Sequence, residues 1–148
     1  MYLIDTNIVS ETRKKEKANS GVIRLFDDVV ATGEPVYLSA VSVGELRRGV
    51  ELIRHRGETG QARLLEAWLT MFLDQYGQNI LAFDADAAQV WGRLRVSNPG
   101  HELDKQIAAI ALVNDLTVVT RNTADFEGTG VKLVNPFLPV AGAELDGR

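Results

Sequence analysis

A chain of 148 residues with a formal charge of -4 and no cysteine can bury one core without a covalent staple, and it excludes a disulfide framework, a thiolate zinc site and a cysteine nucleophile. With 20 Asp plus Glu against 16 Lys plus Arg, overall charge does not draw nucleic acid, so such a partner has to be met locally. Only Met1-Tyr2-Leu3-Ile4 precedes Asp5, too short for a signal-peptide core, and no stretch approaches the ~20 apolar residues of a membrane span; a cytoplasmic protein without membrane attachment is expected.

In chain order, Tyr2–Ile4 reads as a strand, Gly21–Val30 as a helix, Val36–Leu38 as a strand, and Val41–Arg56 and Gln61–Tyr76 as helices. Asn79–Ala82 follows as a strand, Asp86–Val96 and Leu103–Val113 as helices, and Leu116–Val119 and Val131–Val134 as closing strands. The strands are short apolar runs rich in β-branched residues; the helices repeat their apolar residues every three to four positions. Gly33-Glu34-Pro35, Asn98-Pro99-Gly100 and Gly128-Thr129-Gly130 supply turn chemistry between them without forming an interdomain linker. Strands alternating with helices imply parallel pairing, because each crossover returns the chain to the same edge. The expected fold is therefore α/β, a helix-covered, mainly parallel sheet of about five strands. One domain is expected over 1–137, with a tail at 138–148 that loses periodicity and frays. Leu64, Leu65, Trp68, Leu69 and Phe72 make a long stripe that reads as core, with a partner surface as the alternative.

Open parallel sheets bind ligands at the carboxyl ends of their strands. Asp5 immediately follows the first strand, and Thr120-Arg121-Asn122-Thr123-Ala124-Asp125-Phe126 follows the strand ending at Val119. Each candidate acid also has a purely structural reading. Asp5 can be a helix N-cap, and Glu45, three residues after Ser42, can close a capping box. Asp104 suits the first turn of a helix, and Asp125 can cap a turn, with Asn122 as the other cap. Asp104 also heads the stripe Ile107, Ala108 and Ala111, which should face the sheet, where an unpaired charge is costly. Four inward or edge-placed acids on separate segments, without matching buried bases, repel one another, and a divalent cation resolves that repulsion. An all-oxygen donor set points to Mg2+ or Mn2+ rather than zinc, since His55 and His101 read as surface residues outside any His-x-x-x-His spacing. Basic residues cluster at Arg13, Lys14, Lys15 and Lys17, at Arg47 and Arg48, and at Arg54, His55 and Arg56, each readable as a solvated helix face.

Four segments in series carry a resemblance: Leu3-Ile4-Asp5-Thr6-Asn7, Leu38-Ser39-Ala40-Val41-Ser42-Val43-Gly44-Glu45-Leu46-Arg47-Arg48-Gly49, Asp104-Lys105-Gln106-Ile107-Ala108-Ala109, and Thr120-Arg121-Asn122-Thr123-Ala124-Asp125-Phe126. In this order the chain resembles, over nearly its whole length, the PIN-domain nucleases, specifically the VapC-like and FitB-like toxins of type II toxin–antitoxin pairs. The resemblance implies a three-layer α/β/α fold that gathers the acids at one end of the sheet. It assigns Asp5, Glu45, Asp104 and Asp125 as catalytic, metal-ligating carboxylates, with Thr6, Asn7, Thr120 and Asn122 in support. Many relatives carry a further Asp where this chain has Asn122, so a second metal is held less firmly, although the amide oxygen still offers a ligand.

The implied activity is Mg2+- or Mn2+-dependent hydrolysis of RNA phosphodiesters without a protein general base. Arg13, Lys14 and Arg47 become candidates for guiding the RNA backbone. The implied partners are a cognate antitoxin lying over the acidic groove, a second copy of the chain in a homodimer, and operator DNA reached only through the antitoxin. Two other classes compete. A phospho-acceptor signalling module requires a Lys after a late strand, and Thr120-Arg121 offers none. A catalytically silent PIN-like module would keep the fold only to engage an antitoxin or nucleic acid.

Overall fold

The computed structural model describes residues 1–138, so the tail expected at 138–148 lies outside the described residues apart from Leu138. Five strands, β1 (Tyr2–Ile4), β2 (Val36–Ser39), β3 (Ile80–Leu81), β4 (Thr117–Val119) and β5 (Leu133–Val134), form one sheet in the order β3-β2-β1-β4-β5. All four pairings are parallel. Ile4 stands opposite Leu38 on one side and Val119 on the other, which aligns the carboxyl ends of the three central strands.

Side chains alternate across a strand, and here the alternation builds two cores. Ile4, Leu38 and Val119 face a layer made by α1 (Thr6–Thr12), α2 (Ser20–Thr32), α3 (Ala40–His55) and α4 (Thr59–Tyr76), where they meet Ile8, Val22, Leu46, Leu65, Leu69 and Phe72. Leu3 and Val118 face the opposite layer, α5 (Ala85–Ser97) and α6 (Glu102–Val113), against Ile107, Ala108, Ala111 and Phe126. This is a three-layer α/β/α sandwich. Small residues along α6 let that helix lie close to the strands, while α3 and α4 fill the other side with aliphatic and aromatic bulk.

Every helix and strand read from the sequence is present, with its ends displaced by two residues at most. One helix was not foreseen: α1, at seven residues, is too short to display a helical period, and its start depends on the Asp5 cap. In the apolar stripe of α4, Leu65, Leu69 and Phe72 are buried and Trp68 partly so, whereas Leu64 is 69% exposed. The core reading therefore holds for the stripe without Leu64.

The strand order reverses at β1. The chain moves outward from β1 through β2 to β3, then returns to lay β4 on the other side of β1. Loops leaving β1 and β4 consequently diverge and open a crevice at the carboxyl edge, the usual ligand position in an open parallel sheet.

Candidate active site

Asp5 is the first residue past β1 and also the N-cap of α1, with Oδ1 accepting the Thr6 amide at 2.8 Å. Its Oδ2 accepts the Thr120 hydroxyl at 2.8 Å and the Asn7 side-chain amide at 3.3 Å. The structural and functional readings of Asp5 thus belong to the same side chain. Thr120 Oγ1 accepts from Asn7 Nδ2 at 3.3 Å and from the Asn122 backbone at 3.0 Å, which occupies both lone pairs and directs its single proton at Asp5. Asn7 Oδ1 accepts the Arg121 amide at 3.1 Å. Thr6, Asn7 and Thr120, with the Asn122 backbone, therefore lock Asp5 across the crevice between β1 and β4. Thr6 Oγ1 is buried and has no hydrogen-bond partner among the described residues.

Glu45 reaches the same place from α3. The capping box expected from Ser42 to Glu45 is not formed: α3 begins three residues earlier, capped by the Ser39 hydroxyl, which accepts the Ser42 amide at 3.2 Å. Glu45 is left in the body of the helix, half-buried and without a capping duty. Asp104 sits in the first turn of α6, above the buried Ile107, Ala108 and Ala111. It stands at the rim of the sheet rather than against it, with its side chain 25% exposed. Asp125 lies in a 3-10 turn, Thr123–Phe126, whose flanking Asn122 makes no side-chain cap, so the turn-capping account is not realised. The Asn122 side chain is exposed.

The charges of these four acids act on one another, although among the described residues only Asp104, Asp125 and His101 bring donor atoms within 4.8 Å of one another. Burial pushes the Asp5 carboxyl above the ordinary aspartate range, its hydrogen bonds from Thr120 and Thr6 oppose the rise, and the charge of Asp125 adds to it. Burial raises Glu45, helped by Asp5 and countered by Arg48. Asp104 is pushed up to about 6 by burial first and then by Asp5, Asp125 and Glu45, with His101 opposing. Asp5 and Glu45 form no ion pair among the described residues, and Asp104 and Asp125 meet only His101, each at 3.8 Å. Such repulsion is relieved by protonation or by a cation.

Two residues at the site were not read from the sequence as part of it. His101 is a surface residue as expected, 56% exposed, but its Nδ1 stands 3.8 Å from both Asp104 and Asp125, which brings a nitrogen among the carboxylate oxygens. Lys105 is a buried base, 1% exposed, where none was expected. Its Nζ donates to the Gly100 carbonyl, so it serves the turn before α6 rather than neutralising a carboxylate. The pairing of His101 with Asp125 spans 24 positions of sequence and leaves no local signal; an apolar slot filled by Lys in the α6 stripe was the visible trace of Lys105.

The basic candidates are placed unevenly. Lys14 is paired with Glu11 at 2.9 Å, and Arg47 with Glu66 at 2.5 Å and Glu51 at 3.4 Å. Arg13 lies over the Trp68 ring at 5.9 Å. Arg48 is close enough to lower the Glu45 pKa, whereas Arg121 joins the Asp5 network only through its backbone amide and its guanidinium lies over the Phe137 ring at 4.6 Å.

Residues 2–131 match the family model described as PIN domain. The chain is 35% identical to toxin FitB of Neisseria gonorrhoeae over 144 residues, covering 93% of this chain and 99% of that protein. It is 30% identical to VapC ribonuclease Y4jK of Sinorhizobium fredii over 145 residues, 94% of this chain and 99% of that one. Among solved structures it superposes on FitAB bound to an IR36 DNA fragment with a TM-score of 0.81 at 31% identity, covering 95% of this chain and 98% of that chain.

Proposed function

This chain belongs to the PIN domain family, and from that premise we propose that it is the ribonuclease toxin of a toxin–antitoxin pair, hydrolysing RNA phosphodiesters with Mg2+ or Mn2+ held by Asp5, Glu45, Asp104 and Asp125. The observation that carries this reading is the gathering of four mutually repelling carboxylates, three with raised pKa, at the sheet's switch point, with no lysine or arginine in an ion pair with them among the described residues. Its relatives include a protein named as a toxin and one named as a ribonuclease.

The residues fit a hard divalent cation. Their oxygens are the donors that Mg2+ and Mn2+ prefer. When bound, such a cation supplies Lewis-acid stabilisation of the charge that builds on the phosphate and makes water a better nucleophile. The chain does the rest. Thr120, Thr6 and Asn7 hold the Asp5 carboxylate in one orientation, so no rotamer search is needed when substrate arrives. Arg48, beside Glu45, draws in the RNA backbone, with Arg13 extending the track; Lys14 and Arg47 contribute only as far as their glutamate partners release them.

The antitoxin is expected to lie over the acidic groove, and the groove of about 450 Å³ between α2 and α4, lined by Ile23, Phe26, Trp68, Met71, Phe72 and Tyr76, offers it a further apolar surface. Operator DNA is reached through that partner, and a homodimer and a cytoplasmic location complete the reading. No described helix is long and apolar enough to cross a membrane.

The test is to incubate the purified full chain, freed of antitoxin, with total RNA and Mg2+ or Mn2+, alongside a chelator and Asp5→Asn, and to map the cleaved ends. Defined ends that vanish in both controls support the proposal. Cleavage surviving both removes the metal-carboxylate mechanism, and absence of cleavage with every RNA favours a catalytically silent binding module.

A further inference from the structure

We propose that His101, through Nδ1, is a ligand of a second cation position shared with Asp104 and Asp125, and that this nitrogen makes the position prefer Mn2+ or a later first-row divalent ion to Mg2+. The inference rests on the metal-dependent reading of the site and specifies its second half.

The geometry is that of donors around a gap. His101 Nδ1 stands 3.8 Å from Asp104 Oδ2 and 3.8 Å from Asp125 Oδ1, and one donor atom from each of the three residues lies within 4.8 Å of the others. A spacing of 3.8 Å exceeds the ~2.7–3.2 Å of an N–H···O hydrogen bond, so the imidazole is not simply bonded to either carboxylate. An ion making bonds of about 2.1 Å separates its donors by about 3 Å at a right angle and about 4.2 Å when they oppose. The three residues therefore need to close by less than an ångström or so to share one ion.

His101 is also held in place. It adopts a left-handed backbone, φ 51, a conformation that costs a non-glycine residue about 1 kcal/mol or more. Lys105 secures both sides of it: Nζ donates to the Gly100 carbonyl, and the Lys105 amide donates to the His101 carbonyl at 3.0 Å. Trp91 Nε1 fastens the next residue by donating to the Glu102 carbonyl at 3.2 Å. An exposed histidine facing two carboxylates at this distance gains too little as an ion pair to account for a strained and buttressed turn.

Asn122 gives the reason that a nitrogen is required here. Its neutral side chain is exposed and joins no bond to the acids, so a second ion near Asp125 must find its third donor elsewhere, and His101 is the group in reach. Imidazole favours later first-row ions over Mg2+, which keeps to oxygen. Asp5 and Glu45 retain an all-oxygen position that either Mg2+ or Mn2+ can occupy.

The experiment is pulsed electron paramagnetic resonance of Mn2+ bound to the full chain without RNA, comparing the native protein with His101→Gln, His55→Gln and Asp5→Asn. Nitrogen hyperfine coupling is expected in the native and His55→Gln proteins and absent in His101→Gln. In that variant the second Mn2+ weakens by about tenfold or more while Mg2+ affinity is nearly unchanged. Coupling that persists in His101→Gln overturns the inference. So does Mn2+ binding that Asp5→Asn removes but that carries no nitrogen coupling, which leaves the ribonuclease reading standing. Failure of every protein to bind Mn2+ overturns both.

Discussion

On the outer face of α3 and α4, Glu51 and Glu66 share Arg47 and Arg54, with Arg47 2.5 Å and Arg54 3.0 Å from Glu66, and their basic partners hold both glutamates below the ordinary range. At the carboxyl edge of the sheet, Asp5, Glu45 and Asp104 are pushed the other way, by burial and by one another. The chain has the bases to neutralise acids and places them on α3 and α4, where the gain is small because the pairs are exposed. At the strand ends, where neutralisation would matter most, it supplies only the exposed His101 and the more distant Arg48. Acids left unpaired at a ligand crevice are kept for something brought in from outside.

The largest test of that contrast is Asp5→Asn. Losing one carboxylate of the site removes several kcal/mol of transition-state stabilisation, so cleavage falls on the order of 10³-fold; circular dichroism on the same sample verifies that the fold persists. A fall of less than about tenfold would break the contrast, because Asp5 would then be no more than a helix cap.

Next is pH. A carboxyl whose pKa is higher in the folded chain than in the unfolded one stabilises the fold below its unfolded value, and that contribution is lost as pH rises through the folded value. For Asp104 the window runs from 3.8 to about 6, which corresponds to at most about 3 kcal/mol. Urea unfolding in chelator should therefore show stability declining across this window, Asp104→Asn should flatten the decline, and saturating Mg2+ should cancel it. The paired glutamates act oppositely: their lowered pKa values stabilise the fold above about 4.5 and lose that contribution as pH falls further. An identical profile for native and Asp104→Asn proteins would mean that the cluster is not under the strain described here.

The smallest effect belongs to Glu66→Gln. Its partners are exposed and Arg47 retains Glu51, so cleavage stays within about twofold and the unfolding midpoint moves by about 2 °C at most. A large loss of cleavage here would join the two groups of acids into one functional unit.

The sheet, its parallel pairing and the position of Asp5 and Asp125 just past strands were legible because they follow from local pattern: apolar runs, alternating elements and turn residues. Other features depended on contacts or starts that local pattern does not encode. Helix α1 owes its existence to a side-chain cap, and Ser39 rather than Ser42 begins α3, which freed Glu45 from a capping box that spacing alone suggested. The meeting of Glu45 and Asp104 with Asp5 was implied by resemblance and not by spacing, because it depends on how two helices lean over the sheet. His101 was dismissed on motif spacing, yet it reaches Asp125 through the turn that buried Lys105 pins. The ion pairs of Arg47 and Lys14 were equally invisible, and they shift attention to Arg48, whose charge acts on Glu45.

The most direct measurement is an anomalous difference map from crystals of the full chain grown with Mn2+. A peak is expected at the carboxyl edge of β1 and β4, about 2.0–2.3 Å from oxygens of Asp5 and Asp104, and none beside Glu51 or Glu66. Occupancy confined to the α3–α4 face, or no peak within reach of Asp5 at saturating Mn2+, would contradict the metal-carboxylate reading.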